Sequence, residues 1–186
     1  MRKIVASYFI SLDGVVEAPD QWHFPYFNDE MGQSVWSVMS AADTMLLGRV
    51  TYEGFAAAWP NRDPEGEEGP MVDFMNNTPK IVVSTTLDKV EWQNSTLIKS
   101  NVIEEIADLK RQPGGTINTT GSVTLVRSLL AAGLVDELSL LVHPIVVGEG
   151  RLRLFAEDSP KVPLQLTASH TFETGVLSLT YVPADA

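Results

Sequence analysis

Cysteine is absent from this chain of 186 residues. That excludes disulfides, thiolate zinc sites, iron–sulfur clusters and cysteine nucleophiles by inventory. Basic residues are scarce too: 13 Lys and Arg stand against 24 Asp and Glu, a net charge of −11. A surface of that sign repels nucleic acid and anionic membranes at long range, so neither is an expected partner. No apolar run approaches the roughly 18 residues of a membrane span. The opening MRKIVASYFISLDG has only a short apolar run before Asp13 and does not read as an export signal, so a cytoplasmic protein is expected. Neither GxGxxG nor GxxxxGK[ST] occurs, which removes the Rossmann fingerprint and the P-loop.

What is present predicts one α/β domain over residues 1–186. KIVASYFI, residues 3 to 10, is nearly continuously apolar, as a strand buried on both faces of a mainly parallel sheet should be. A long loop with four aromatics follows, too apolar to be a plain surface connection. Met31, Val35, Val38, Met39 and Ala42 then share one face of a helix starting near Asp29. Further strands are expected at Thr44 to Leu47, Lys80 to Ser84, Thr96 to Ile98 and 116 to 119. Helices are expected from about Thr51 to Ala58, from Val102 to Lys110, and after Gly121 until Gly133 stops the last one. PNRDPEGEEGP, residues 60 to 70, reads as a solvated acidic loop, DELSLLVHPIVV as a strand, and the segments around Gly175 as a terminal antiparallel hairpin.

Three strand-to-helix turns carry the chemistry, and in a parallel sheet all open on the carboxyl edge. In LLGRVTYEGF, Gly48 permits close backbone approach and Arg49 offers a guanidinium fork suited to phosphate, or else pairs with a surface carboxylate. In IVVSTTL, Ser84, Thr85 and Thr86 place hydroxyls that either donate to phosphate or cap a turn. In NTTGSVTLV, Thr119 to Thr124 open a helix as an anion cradle or an ordinary cap. His143 and His170 read as strand residues without metal spacing. His23, beside Trp22 and Phe24, either donates to a substrate carbonyl or packs; Asp13 either caps the turn at Gly14 or meets substrate.

The order of these motifs resembles the dihydrofolate reductase-like fold, and within it the reductase domain of the riboflavin-biosynthesis deaminase-reductase and its stand-alone relatives. SLDG, WHFP, LLGRVTYE, VVSTT, TTGSVTLVRSLLAAGLVDEL and HPIVVGEGRLRLF carry the resemblance over nearly the whole chain. It implies a three-layer fold, a mostly parallel mixed sheet flanked by helices with a C-terminal antiparallel hairpin, and a homodimer. It implies NADPH held by Gly48, Arg49, Val50 and Thr51, then Ser84, Thr85 and Thr86, then Thr120, Gly121, Ser122, Val123 and Thr124. Departures fall on the substrate side: Val15 stands where riboflavin-type reductases carry a basic residue, Thr120-Gly121-Ser122 where they carry Glu-Gly-Gly, and Phe27 where dihydrofolate reductases place an acid. The deaminase zinc site, which needs a Pro-Cys-x-x-Cys pair, does not occur in these residues.

The expectation is therefore an NADPH-dependent reductase transferring hydride to a small pterin- or aminopyrimidine-like heterocycle, or a related carbonyl or imine compound. That activity is related to 5-amino-6-(5-phosphoribosylamino)uracil reductase. Asp13, Asp29 and His23 are the candidates for proton handling, and Trp22 and Phe24 for substrate contact. The alternative is a non-catalytic NADP(H)-binding or redox-sensing module that keeps the cofactor site alone.

Overall fold

The computed structural model describes residues 1–148, 151–157 and 159–184. Its frame is one eight-stranded sheet. The strands are β1 (Ile4–Ser11), β2 (Ala42–Gly48), β3 (Lys80–Val83), β4 (Ser95–Ile98), β5 (Thr116–Thr120), β6 (Glu137–His143), β7 (Leu164–Thr171) and β8 (Leu177–Pro183). They lie in the order β4-β3-β2-β5-β1-β6-β8-β7. The first six run parallel, whereas β8 is antiparallel to both β6 and β7. This is the mostly parallel sheet with a terminal hairpin that the sequence predicts.

Five helices cover the two faces: α1 (Asp29–Ser40), α2 (Arg49–Ala58), α3 (Gly69–Asn77), α4 (Val102–Arg111) and α5 (Val123–Ala131). Alternation along the strands divides the core between the layers. Ile4, Ala6, Leu46, Ile117 and Leu138 pack with Ile106 of α4 and Val126 and Leu129 of α5. Met45, Leu47 and Val82 point the other way, against Tyr52 of α2 and Met75 of α3.

Local chemistry sets the helix ends. Asn28 caps α1 by accepting the Met31 N–H at 3.0 Å. Beyond α5, Gly133 takes φ +68°, and its N–H and that of Leu134 return to the carbonyls of Leu130 and Leu129. The last carbonyls after α3 meet the buried Lys80, whose ammonium donates to Asn76 O and Thr78 O and lies 4.1 Å over the Trp92 ring. Burial pushes the Lys80 ammonium down to about 8.

Three points depart from the sequence reading, the first being Ala42, expected on the face of α1 but opening β2. Helix α3 follows directly on the acidic loop: Pro70 sits in its first turn, where its missing N–H costs nothing. The strand expected to run through Val147 ends at His143, because Pro144 offers no ladder donor. The N–H groups of Val147 and Gly148 are then taken by the Asp13 carboxylate at 3.1 and 3.0 Å.

Candidate active site

At the carboxyl edge, the turns after β2 and β5 are laced together. Ser122 Oγ accepts the Gly48 N–H at 2.8 Å, and Ser122 N–H donates to Thr51 Oγ1 at 2.8 Å. Gly121, at φ +57°, brings its backbone so close that a Cβ there would sit 2.6 Å from Thr51 Oγ1, so only glycine fits. Tyr8 reaches over from β1 and donates its hydroxyl to Gly121 O at 2.5 Å. Burial pushes that phenol above its ordinary range, so it stays a donor.

These turns border an outer groove of about 560 Å³ lined by Gly48–Thr51, Thr120–Leu125 and Val16–Pro19. Neither α2 nor α5 has a side-chain cap at its N-terminus, and an uncapped helix N-terminus leaves N–H groups that can serve as anion donors. Ala18 and Ser122, at φ +44° and +47°, hold left-handed backbone that is costly for residues with a Cβ. Both line this groove.

Beneath it lies a second cavity of about 230 Å³. The two share Tyr8, Phe9, Phe55 and Thr120, so the groove meets the cavity at that boundary. The cavity floor comes from one face of three adjacent strands: Asn118 on β5, Ser7 on β1 and Ser139 on β6. Asn118 Nδ2 donates to Ser7 Oγ at 3.3 Å. The roof is apolar, with Val38 and Met39 from α1, Trp59 just past α2, and Met71 and Met75 from α3.

The structure distributes the sequence-predicted residues unevenly. It brings Gly48, Arg49, Val50, Thr51 and Thr120 to Thr124 to one groove. Arg49 is half-exposed and paired with Glu53 at 2.9 Å. Ser84, Thr85 and Thr86 lie outside that lining, although Val83 pairs with Gly48 in register. Ser84 Oγ caps its own turn by accepting the N–H groups of Thr86 and Leu87 at 3.1 and 3.0 Å, while Thr85 and Thr86 are exposed.

None of Asp13, Asp29 and His23 lines the groove or the cavity. Asp13 is a clasp: besides the Val147 and Gly148 N–H groups it accepts the Ser11 hydroxyl at 2.6 Å, and these bonds hold its carboxyl well below the usual carboxylate range. Asp29 opens α1 and is exposed. His23 is buried, stacked on Phe9 with ring centroids 4.5 Å apart, so it touches the boundary through Phe9. Burial, then the neighbouring His143, lowers its pKa. Trp22 is buried as well and donates its indole N–H to Glu17 O at 3.0 Å; Phe24 is 62% exposed. The loop therefore walls the groove with Val16–Pro19, not with its aromatics. Those residues, and the polar floor, were missed from sequence; single polar residues interrupting apolar strands at period two were the available signal for the floor.

No helix among the described residues is long and apolar enough to cross a membrane, and no group of three or more His, Asp or Glu among them could hold a metal ion. Among solved structures, a Shewanella sp. PV-4 protein provisionally named for riboflavin biosynthesis aligns over 98% of this chain and 99% of its own, with TM-score 0.78 and 20% identity. Dihydrofolate reductase from Enterococcus faecalis, complexed with NADP(H) and RAB-propyl, aligns over 98% and 97% with TM-score 0.64 and 20% identity. Both show the dihydrofolate reductase-like fold that the motif order implies. In sequence, the uncharacterized protein YyaP of Bacillus subtilis (strain 168) is 30% identical over 182 residues, covering 97% of this chain and 94% of its own. The profile of the RibD C-terminal domain matches residues 2–178, so the chain belongs to the RibD C-terminal domain family.

Proposed function

We propose that this protein is an NADPH-dependent reductase that transfers hydride to a small ring compound or a related carbonyl or imine. The observation that carries this reading is the boundary where the groove between two uncapped helix N-termini meets an apolar cavity, at Tyr8, Phe9, Phe55 and Thr120. The residues fit a pyrophosphate-bearing cofactor: the close-set backbone at Gly121 and Gly48, free N–H groups on α2 and α5, and Arg49 at the groove edge. When bound, NADPH supplies the hydride, and with it the redox chemistry.

The chain's own residues bind, orient and shield. The α2 and α5 termini hold phosphate; Arg49, exchanging Glu53 for a 2′-phosphate, selects the phosphorylated cofactor, helped by Thr85 and Thr86 at the neighbouring strand end. Phe9 and Phe55 keep water from the boundary, so orientation carries most of the rate. Tyr8 is committed to Gly121 O, and neither Asp13 nor His23 lines the cavity. Hydride addition also needs a proton, and none of Tyr8, Asp13 and His23 is placed to give it to a ring in the cavity.

The test is NADPH binding and oxidation by the purified protein across pterins, aminopyrimidines, flavins and quinones. Saturable binding with substrate-dependent loss of nicotinamide absorbance supports the reading. Tight binding with no turnover on any class favours the NADP(H)-binding module instead.

A further inference from the structure

We infer that the inner cavity takes a compact, uncharged, mainly apolar ring compound and rejects phosphorylated or carboxylated ones. The word substrate for that compound rests on the reductase reading; the chemistry of the cavity does not.

Four observations converge. The residues lining the cavity include no Lys, Arg, His, Asp or Glu. Apart from the Ser34 hydroxyl the roof is thioether, indole and aliphatic carbon, and the floor offers neutral groups, the Ser7, Thr120 and Ser139 hydroxyls and the Asn118 amide. One bond to Ser7 leaves Asn118 further hydrogen-bonding capacity, enough to orient a ring carbonyl, hydroxyl or amine. An anion there would lose its hydration without gaining a charged partner, whereas a neutral ring loses little and buries apolar surface.

Size points the same way. At about 230 Å³ the cavity falls below the roughly 300–1,000 Å³ of sites for drug-sized ligands, so by itself it holds a ring but not a ring together with a sugar phosphate. Outside the cavity lining, Arg62 stacks on the Trp59 ring with its guanidinium carbon 4.3 Å from the centroid and pairs with Glu68. It is one cation that an anionic ligand could recruit.

The experiment compares 2-naphthol with 2-naphthoate, the same ring without and with a charge, by calorimetric titration of the full chain with and without NADPH. The neutral ring should bind at least about tenfold more tightly in both conditions. Val38→Lys, and independently Ser34→Lys, each placing a cation on the half-buried cavity face of α1, should narrow or reverse that preference. Ser34→Lys keeps the test open where Val38→Lys does not fold. Equal or tighter binding of 2-naphthoate overturns the inference, as does 2-naphthoate binding that Arg62→Ala abolishes. Selective binding of 2-naphthol without NADPH oxidation on any neutral compound upholds the cavity chemistry and removes the reductase reading. Turnover of phosphorylated heterocycles with no preference for 2-naphthol does the reverse.

Discussion

The hydroxyl of Ser122 accepts the backbone N–H of Gly48 at 2.8 Å, so one side chain fixes the spacing of the two turns that border the outer groove. Ser122 also holds φ +47°, a conformation costing about 1 kcal/mol or more for a residue with a Cβ. Ser122→Ala keeps that cost and leaves the Gly48 N–H unpaired, so it should lower stability by about 1 kcal/mol. Ser122→Gly relieves the backbone while losing the same bond, and should unfold at higher urea than Ser122→Ala. Both should weaken NADPH by a similar factor, about three- to tenfold. Urea unfolding with NADPH titration of the two variants checks this; a Ser122→Ala protein that binds NADPH as the parent does would show that the lacing is irrelevant to the groove.

Arg49 is half-exposed and bridged to Glu53 one helical turn away, an exchangeable surface pair worth only a few tenths of a kcal/mol. In the proposed reading, a 2′-phosphate at the groove edge displaces Glu53 from Arg49. Arg49→Ala should therefore weaken NADPH by about 1.5 to 3 kcal/mol, the range of a charged hydrogen bond, and change NADH little. Glu53→Gln, which removes the competitor, should tighten NADPH by up to about 0.5 kcal/mol. Parallel titrations with both cofactors decide it: equal losses for NADPH and NADH place Arg49 away from a 2′-phosphate.

Much of the fold was legible because buried parallel strands write long apolar runs and glycine turns punctuate them. The helix stop at Gly133 is legible from a single residue with a definite backbone role, and the start near Asp29 from the helical spacing that begins at Met31. Helix α3 was not read, since Met71, Val72 and Met75 follow an acidic, turn-rich stretch and only four or five residues carry the helical spacing. The groove residues were legible as turn chemistry, whereas the cavity floor was not. Ser7, Asn118 and Ser139 lie on three strands far apart in sequence and become one surface only when β5, β1 and β6 pair in this order. Nor could the sequence say which part of the aromatic loop faces the groove, because that depends on Trp22 turning inward to Glu17 O.

Trp22 and Phe24 stand two residues apart and should respond oppositely to truncation. Trp22 is 7% exposed, Phe24 62%. Trp22→Ala leaves a cavity beside His143, whose ring centroid lies 5.2 Å away, and should cost about 3 kcal/mol or more. It should also loosen Glu17 and the groove wall. Phe24→Ala should stay within about 0.5 kcal/mol of the parent. Chemical denaturation of both variants is the measurement, and a Trp22→Ala protein as stable as the parent would mean that the loop packs elsewhere.

His23 and His143 bury their rings 6.1 Å apart, and among the described residues His23 Nδ1 and His143 Nε2 have no hydrogen-bond partner. Burial is the largest cause lowering both pKa values below the ordinary 6.5, and for His23 the neighbouring imidazole adds to it. The sign follows from linkage. Above pH 6.5 both rings are neutral folded or unfolded, and the contribution to stability is fully present. As pH falls through 6.5 the unfolded chain takes up protons that the folded chain resists, so stability drops until the folded pKa values are passed. Unfolding free energy measured between pH 7.5 and pH 5 should therefore decline, and the decline should be shallower in His23→Gln and in His143→Gln. It should be shallowest in the double variant, which has removed both buried bases. A parent whose stability is flat over this window, or a double variant with the parent's slope, would mean that these histidines are protonated as readily in the folded protein as in the unfolded chain.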